Sequence, residues 1–273
     1  MLDNGRVIPR TWSWDPVALV AAGLAVALYA QAFVRLRRRN PQLAGVGNAL
    51  LFLAGVAIAT LAVISPLDAL AEDTLLSAHM AQHLLIGDLA PLLLVLGVRG
   101  PIAVFLLPPQ ALRPLAHNRA VRATLDFLLR PVVSFTVWAI ALGAWHVPAA
   151  YDLALDHAAI HVLEHASLFL GGLLLWIQIV DPARRHRLSP GRRAAFAATA
   201  LVAGMGLSEV LLVSGPLYPH YADAVDRPFG LTYRSDQDRA ALLMMAEQIA
   251  TLGPAAALLL WSHVETVERE LAT

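Results

Sequence analysis

The residues best able to do chemistry in this 273-residue chain are its ten histidines, because several stand at metal-ligand spacing. Residues four apart on a helix share one face about a turn apart, so His79 with His83, and His161 with His165, can each offer two imidazoles to one ion. His157 would stand about 12 Å from His165 along the same helix, too far to join that pair, and reads as a second-site or access residue. One surface histidine is ordinarily just solvated or bonded to a loop carbonyl; two pairs at this spacing favour a metal or cofactor. The segment Asp236-Gln237-Asp238-Arg239, followed by Met244, Met245, Glu247 and Gln248, adds softer donors, although membrane methionines are commonly packing residues. Thioether with imidazole suits Cu(I), while imidazole alone also suits Zn(II), Cu(II) or haem iron. His146, in Trp145-His146-Val147-Pro148, and His220 are further donors, and the proline can end a helix and free backbone carbonyls near His146.

Three carboxylates fall at span depth, Glu164, Glu209 and Glu247, where a charge costs on the order of 2.5–3.5 kcal/mol, so each is expected to face the bundle interior. Glu164 lies between His161 and His165 and could accept a proton from a ligand imidazole; a helix–helix hydrogen bond would explain it equally well. His161-Val162-Leu163-Glu164-His165 also fits the His-x-x-Glu-His pattern of inverted zinc peptidases. That reading needs a third ligand, from Glu209 or Glu247, and leaves His79 and His83 without a role. The chain has no cysteine, which excludes disulfides, thiolate metal sites, iron–sulfur clusters and cysteine-attached haem.

The elements that must position these groups are membrane helices. The sequence is 58% hydrophobic and 15% charged, with a mean hydropathy of +0.62, and its apolar runs are about as long as a bilayer-crossing helix. An all-α polytopic bundle is expected, one integral membrane domain over 1–273, with seven spans near 16–34, 47–65, 76–97, 131–150, 158–180, 194–214 and 239–263. Residues 101–107 are too short to cross and read as a re-entrant or interfacial piece. Residues 113–130 read as a basic helix lying on the membrane. Residues 1–15 lack the features of a secretory signal, so the first span is expected to stay in the mature protein. No long-period repeat is evident.

All 20 basic residues are arginines. They gather after spans one, three and five, whereas Asp68, Glu72, Asp73, Asp152, Asp156 and Asp223 gather in the opposite loops with only Arg227 and Arg234. Basic loops stay in the cytoplasm, so the N-terminus is expected outside and the C-terminus inside. On that assignment His117, His186 and His263 are cytoplasmic. The other seven histidines lie at or just below the outer face.

The assembled segments resemble one family: His79-Met80-Ala81-Gln82-His83-Leu84-Leu85 running to Pro91–Gly97, then Trp145-His146-Val147-Pro148-Ala149-Ala150-Tyr151-Asp152, His161-Val162-Leu163-Glu164-His165, Leu217-Tyr218-Pro219-His220-Tyr221, Arg227-Pro228-Phe229-Gly230-Leu231, and Asp236-Gln237 with Met244. In this order, over about residues 50–250, they are similar to the CtaG family of cytochrome c oxidase assembly factors from the caa-type oxidase group. The resemblance implies a multi-pass protein of the bacterial cytoplasmic membrane, not an enzyme, that binds copper through His79, His83, His146, His161, His165 and Met244. Auxiliary donors would be His157, His220 and Met245, with Glu164, Asp236 and Gln237 in supporting positions. Met245 stands where the family usually has Trp, and His220 where it commonly has an aromatic residue; both add a donor. The implied partners are subunit I or II of a haem–copper oxidase and membrane lipid, with no nucleic acid. Three other functions fit parts of the pattern: a membrane redox protein with haem b or another His-ligated metal, a copper transporter, and the zinc peptidase.

Overall fold

A computed structural model describes residues 12–222, 224 and 227–272; residues 1–11 and Asp223 lie outside them, as does the side chain of Val104. The described residues form helices and no strand. Helix α1 (Pro16–Arg39) begins with Pro16 at its first turn and the Asp15 carboxylate accepting from the Val17 N–H, and it ends on Arg37, Arg38 and Arg39. Acceptor first and cations last is what a helix dipole favours. Then follow α2 (Val46–Ile64), the short α3 (Pro66–Asp73) capped by Ser65, and α4 (Leu76–Gly97). Within α4, residues Leu85–Leu89 form a π turn, in which the Ala90 N–H reaches the Leu85 carbonyl.

The connecting stretch carries α5 (Ile102–Phe105), α6 (Pro109–His117) and α7 (Arg119–Leu128). α6 and α7 contain no buried residue, and the stretch read as one basic helix over 113–130 is broken at Asn118, whose side chain caps α7. Next come α8 (Pro131–Trp145), α9 (Pro148–Asp156), α10 (Ala158–Val180), α11 (Pro190–Val213) and α12 (Tyr233–Leu271). Six of these are long and apolar enough to cross a membrane: α1, α2, α4, α10, α11 and α12. A seventh span arises only if α7 and α8, bent by 72° at their break, count as one.

The fourth expected span, 131–150, is therefore shorter than its apolar run. Its 15-residue helix covers about 22 Å, less than a hydrocarbon core of about 30 Å. Pro148 starts α9 instead of continuing α8. The freed His146 carbonyl accepts from the Tyr218 hydroxyl at 3.1 Å.

α11 packs on α12, the second half of α4 on α2, and α10 on both α8 and α4. Gly172 permits the last contact, because a Cβ there would run into the Gly87 carbonyl within the π turn. α1 leans on α2 and α5. Between α1, α2 and α10 runs an apolar cleft of about 810 Å³, with His165 and Gln178 among its few polar walls. Val20, Leu24, Val132, Ile140, Leu170, Val202 and Leu258 are exposed on the bundle's outside, as lipid-facing side chains are.

One expectation fails. Glu209 does not face the interior but sits on the exposed face of α11. It lies one turn from the end of the helix at Val213, close enough for its carboxylate to reach the polar interface.

Candidate metal centre

The first helical turns of α4 and α10 meet at one end of the bundle, and there both histidine pairs come together. Asp236, from the start of α12, fixes the N-terminus of α4: its carboxylate accepts from the Leu76 N–H at 2.8 Å, the Ser77 N–H at 3.1 Å and the Ser77 hydroxyl. It thus satisfies donors that every helix start leaves unpaired. Gln237 clamps the preceding loop, accepting from the Leu217 N–H and donating to the Leu211 and Gly215 carbonyls. Both residues hold backbone; neither touches an imidazole.

His79, His83, Glu164 and His165 offer ligand atoms that all lie within 4.8 Å of one another. The Nε2 atoms of His79 and His83 are 2.8 Å apart. Glu164 points at both, with Oε1 3.5 Å from His83 Nε2 and Oε2 3.9 Å from His79 Nε2. The His79 and His165 rings are 6.3 Å apart and the His83 and His165 rings 5.5 Å. His161 flanks the group, with ring centroids 4.2 Å from His165 and 5.6 Å from His79. His79, His83, His161 and Glu164 are buried and His165 half-buried.

Hydrogen bonds behind the rings set which nitrogen is free. The Tyr221 hydroxyl donates to the Ala71 carbonyl at 2.6 Å and accepts from Tyr151 at 2.9 Å. Burial raises both phenols well above their ordinary value, so they remain donors. His79 Nδ1, 3.2 Å away, must then donate to Tyr221, which leaves the Nε2 lone pair toward the cluster. His161 Nδ1 lies 2.8 Å from Glu72, on α3, and donates to its carboxylate, whose pKa that bond lowers. His161 Nε2, His165 Nε2, His83 Nδ1 and both oxygens of Glu164 are buried with no partner. Buried polar atoms are normally satisfied. A pocket this rich in lone pairs and this poor in donors fits a cation. Ring orientation by carboxylate or hydroxyl is also how ligating histidines are held.

The remaining sequence candidates spread outward. His146 donates from Nδ1 to the Leu142 carbonyl at 2.7 Å, and its buried Nε2 has no partner. It lies outside the four-residue cluster and lines a smaller cavity below, together with Met244. Met244 packs in the core with Leu76, Met80 and Tyr151. Met245 is half-buried. His157 is exposed as the N-cap of α10. His220 is exposed and bonds the Glu72 carbonyl at 2.9 Å. Glu247, offered as a third zinc-peptidase ligand, lines the smaller cavity, and Glu209 lies on the outside. Sequence reasoning missed Glu72 and Tyr151 as ring-orienting groups and did not single out Tyr221.

Fold and site together define a polytopic helical membrane protein with a buried imidazole–carboxylate centre at one end. Residues 27–266 match the model of the cytochrome c oxidase caa3 assembly factor family (Caa3_CtaG), and the chain belongs to that family. It is also 30% identical over 201 residues to the uncharacterized proteins Mb0105 of Mycobacterium bovis and MT0111 of Mycobacterium tuberculosis. The match takes in 66% of this chain and 28% of each relative, so the chain spans under a third of their length. No solved structure matches.

Proposed function

We propose that this protein helps assemble a caa3-type oxidase by holding copper at the outer membrane face and passing it to an apo-oxidase subunit, I or II. Family membership supports the assembly role. The observation that supports the copper role is the convergence of His79, His83, Glu164 and His165 around one point, with both Glu164 oxygens and the His165 Nε2 left without a hydrogen-bond partner. Three imidazoles and one carboxylate bind copper well, and nothing in the set demands a porphyrin or an activated water. The arginine-rich loops following α1, α4 and α10 support, by the positive-inside rule, an outside location for the opposite, histidine-rich end, with the plasma membrane of a bacterium as the setting. A donor must open on the side where its acceptor's site opens.

The test is metal analysis of purified protein, wild type beside His79→Ala with His83→Ala, joined to oxidase activity in cells carrying each. Copper in the wild type that disappears in the variant, together with lost oxidase activity, is the expected result. A wild-type protein that takes no copper, or a variant that supports full oxidase activity, would sink the proposal.

A further inference from the structure

The cleft between α1, α2 and α10 touches the metal centre only at His165, and its two ends differ in charge. Its walls are apolar over most of their height, with Phe52, Leu94, Phe169 and Leu173 among them, and α10 lines it from Val162 to Gln178. That stretch is about 24 Å long at 1.5 Å per residue. At the end where α1 begins, the charged wall residue is Asp15, whose carboxylate caps that helix. At the other end stand Arg185, Arg187 and Arg193.

These guanidiniums are not balanced where they lie. Arg193 donates from Nε to the Ile179 carbonyl at 2.9 Å, which fixes its position without cancelling its charge. Arg187 pairs with Asp126 at 2.7 Å, whereas Arg185 comes only within 3.9 Å of the same carboxylate. Asp181, the acid on this part of the wall, turns its oxygens to the N–H groups of Arg185 and His186. Arg99 stands close enough to Arg193 to repel it. Four arginines thus face two carboxylates, so this end attracts an anion, while Asp15 disfavours one at the other end.

Volume decides between kinds of occupant. The cleft, at about 810 Å³, is within the roughly 300–1,000 Å³ of pockets that enclose small molecules. A membrane-crossing helix about 10 Å across and 30 Å long fills roughly 2,400 Å³, about three times as much. Flexible hydrocarbon chains fit the space; a partner's helix would lie across the opening and leave the floor unfilled. A basic pocket between membrane helices is also the usual receptor for an anionic lipid headgroup.

We propose that this cleft binds one anionic phospholipid, with its phosphate among Arg185, Arg187 and Arg193 and its acyl chains running along α10. One leaflet is about 15 Å deep, half of a 30 Å hydrocarbon core, so the chains reach the level of Phe169 and stop short of His165. The site does not rest on the copper role proposed above.

Protein purified in a mild detergent, freed of co-purifying lipid and titrated with dioleoyl phosphatidylglycerol or dioleoyl phosphatidylcholine, tests this by native mass spectrometry, which counts lipids per chain. The first phosphatidylglycerol is expected to bind about 10-fold more tightly than the first phosphatidylcholine, through the attraction of the arginines for its net charge. That comparison depends on no variant's folding. Arg185→Gln with Arg187→Gln, both on an exposed loop, should erase the preference. Ala103 lines the same end, where the Gly100 N–H meets the Pro182 carbonyl, and Ala103→Trp should remove the first binding step for both lipids by filling the headgroup end. Equal affinities in the wild type would make the cleft ordinary lipid-facing surface and overturn the proposal. A preference that survives the arginine exchange or the tryptophan would put the anionic lipid elsewhere, for instance on α6 and α7, and overturn it as well. So would a wild type that binds neither lipid, which would leave the cleft to a helix of another protein.

Discussion

At the residue scale the two imidazole pairs were legible because i, i+4 spacing is a property of sequence alone. The groups that orient them were not. Tyr221 stands 142 residues from His79, and Glu72 reaches His161 from a different helix. Nothing local distinguishes such a tyrosine or glutamate from a solvated loop residue. Tyr221→Phe is expected to weaken metal binding by about 10-fold or more, since outer hydrogen bonds of this kind contribute about 10–100-fold. Leaving the His79 Nδ1–H and the Ala71 carbonyl without their partner should also cost about 1–3 kcal/mol of stability. Competition against a chelator measures the first effect and thermal unfolding the second. An unchanged affinity would mean that packing alone holds the ring.

At the element scale the spans were legible from composition, and α4 and α10 begin and end where hydropathy places them. What composition hides is the π turn. In a regular α-helix five residues turn through about 500°, so His83 and Asp88 would point about 140° apart. Across the π turn, whose bonds run from i to i+5, both line one cavity. Helical spacing therefore misplaces Asp88, whose carboxylate bonds the Trp176 indole and the Thr251 hydroxyl inside the bundle. The crossing of α10 over that turn depends on Gly172. Gly172→Ala is expected to destabilise the bundle by about 1–3 kcal/mol through overpacking and to weaken copper binding by moving His165 away from His83. Asp236→Ala should remove about 1–2 kcal/mol by uncapping α4. Amide exchange should accelerate at residues 76–79, with the middle of α10 unaffected, and uniform protection across α4 would refute the capping role.

At the scale of the whole molecule, charge asymmetry predicts the orientation, and the absence of cysteine makes it simple to check, because any introduced thiol is unique. His157→Cys is expected to react with an impermeant maleimide on intact cells, and Arg185→Cys only after the membrane is opened. The reverse pattern would place the copper site on the cytoplasmic side and remove the reason for a hand-off outside. The number of spans was less legible, since the apolar run from 131 to 150 counts as a full crossing until Pro148 is seen to open a new helix. The tie from Asp236 to Leu76 joins residues 160 apart, and it carries a meaning for biosynthesis. Chains emerge N-terminal end first, so α4 and α10 are made well before the last helix that pins α4 in place. A ribosome-bound chain that has not yet reached Asp236 carries the three cluster histidines and the flanking His161 but not the cap that holds the start of the helix bearing His79 and His83. On the copper role proposed above, metal capture would wait until the residues around Asp236 have been made, and a chain stopped before them would lack the cap that holds the first turn of α4.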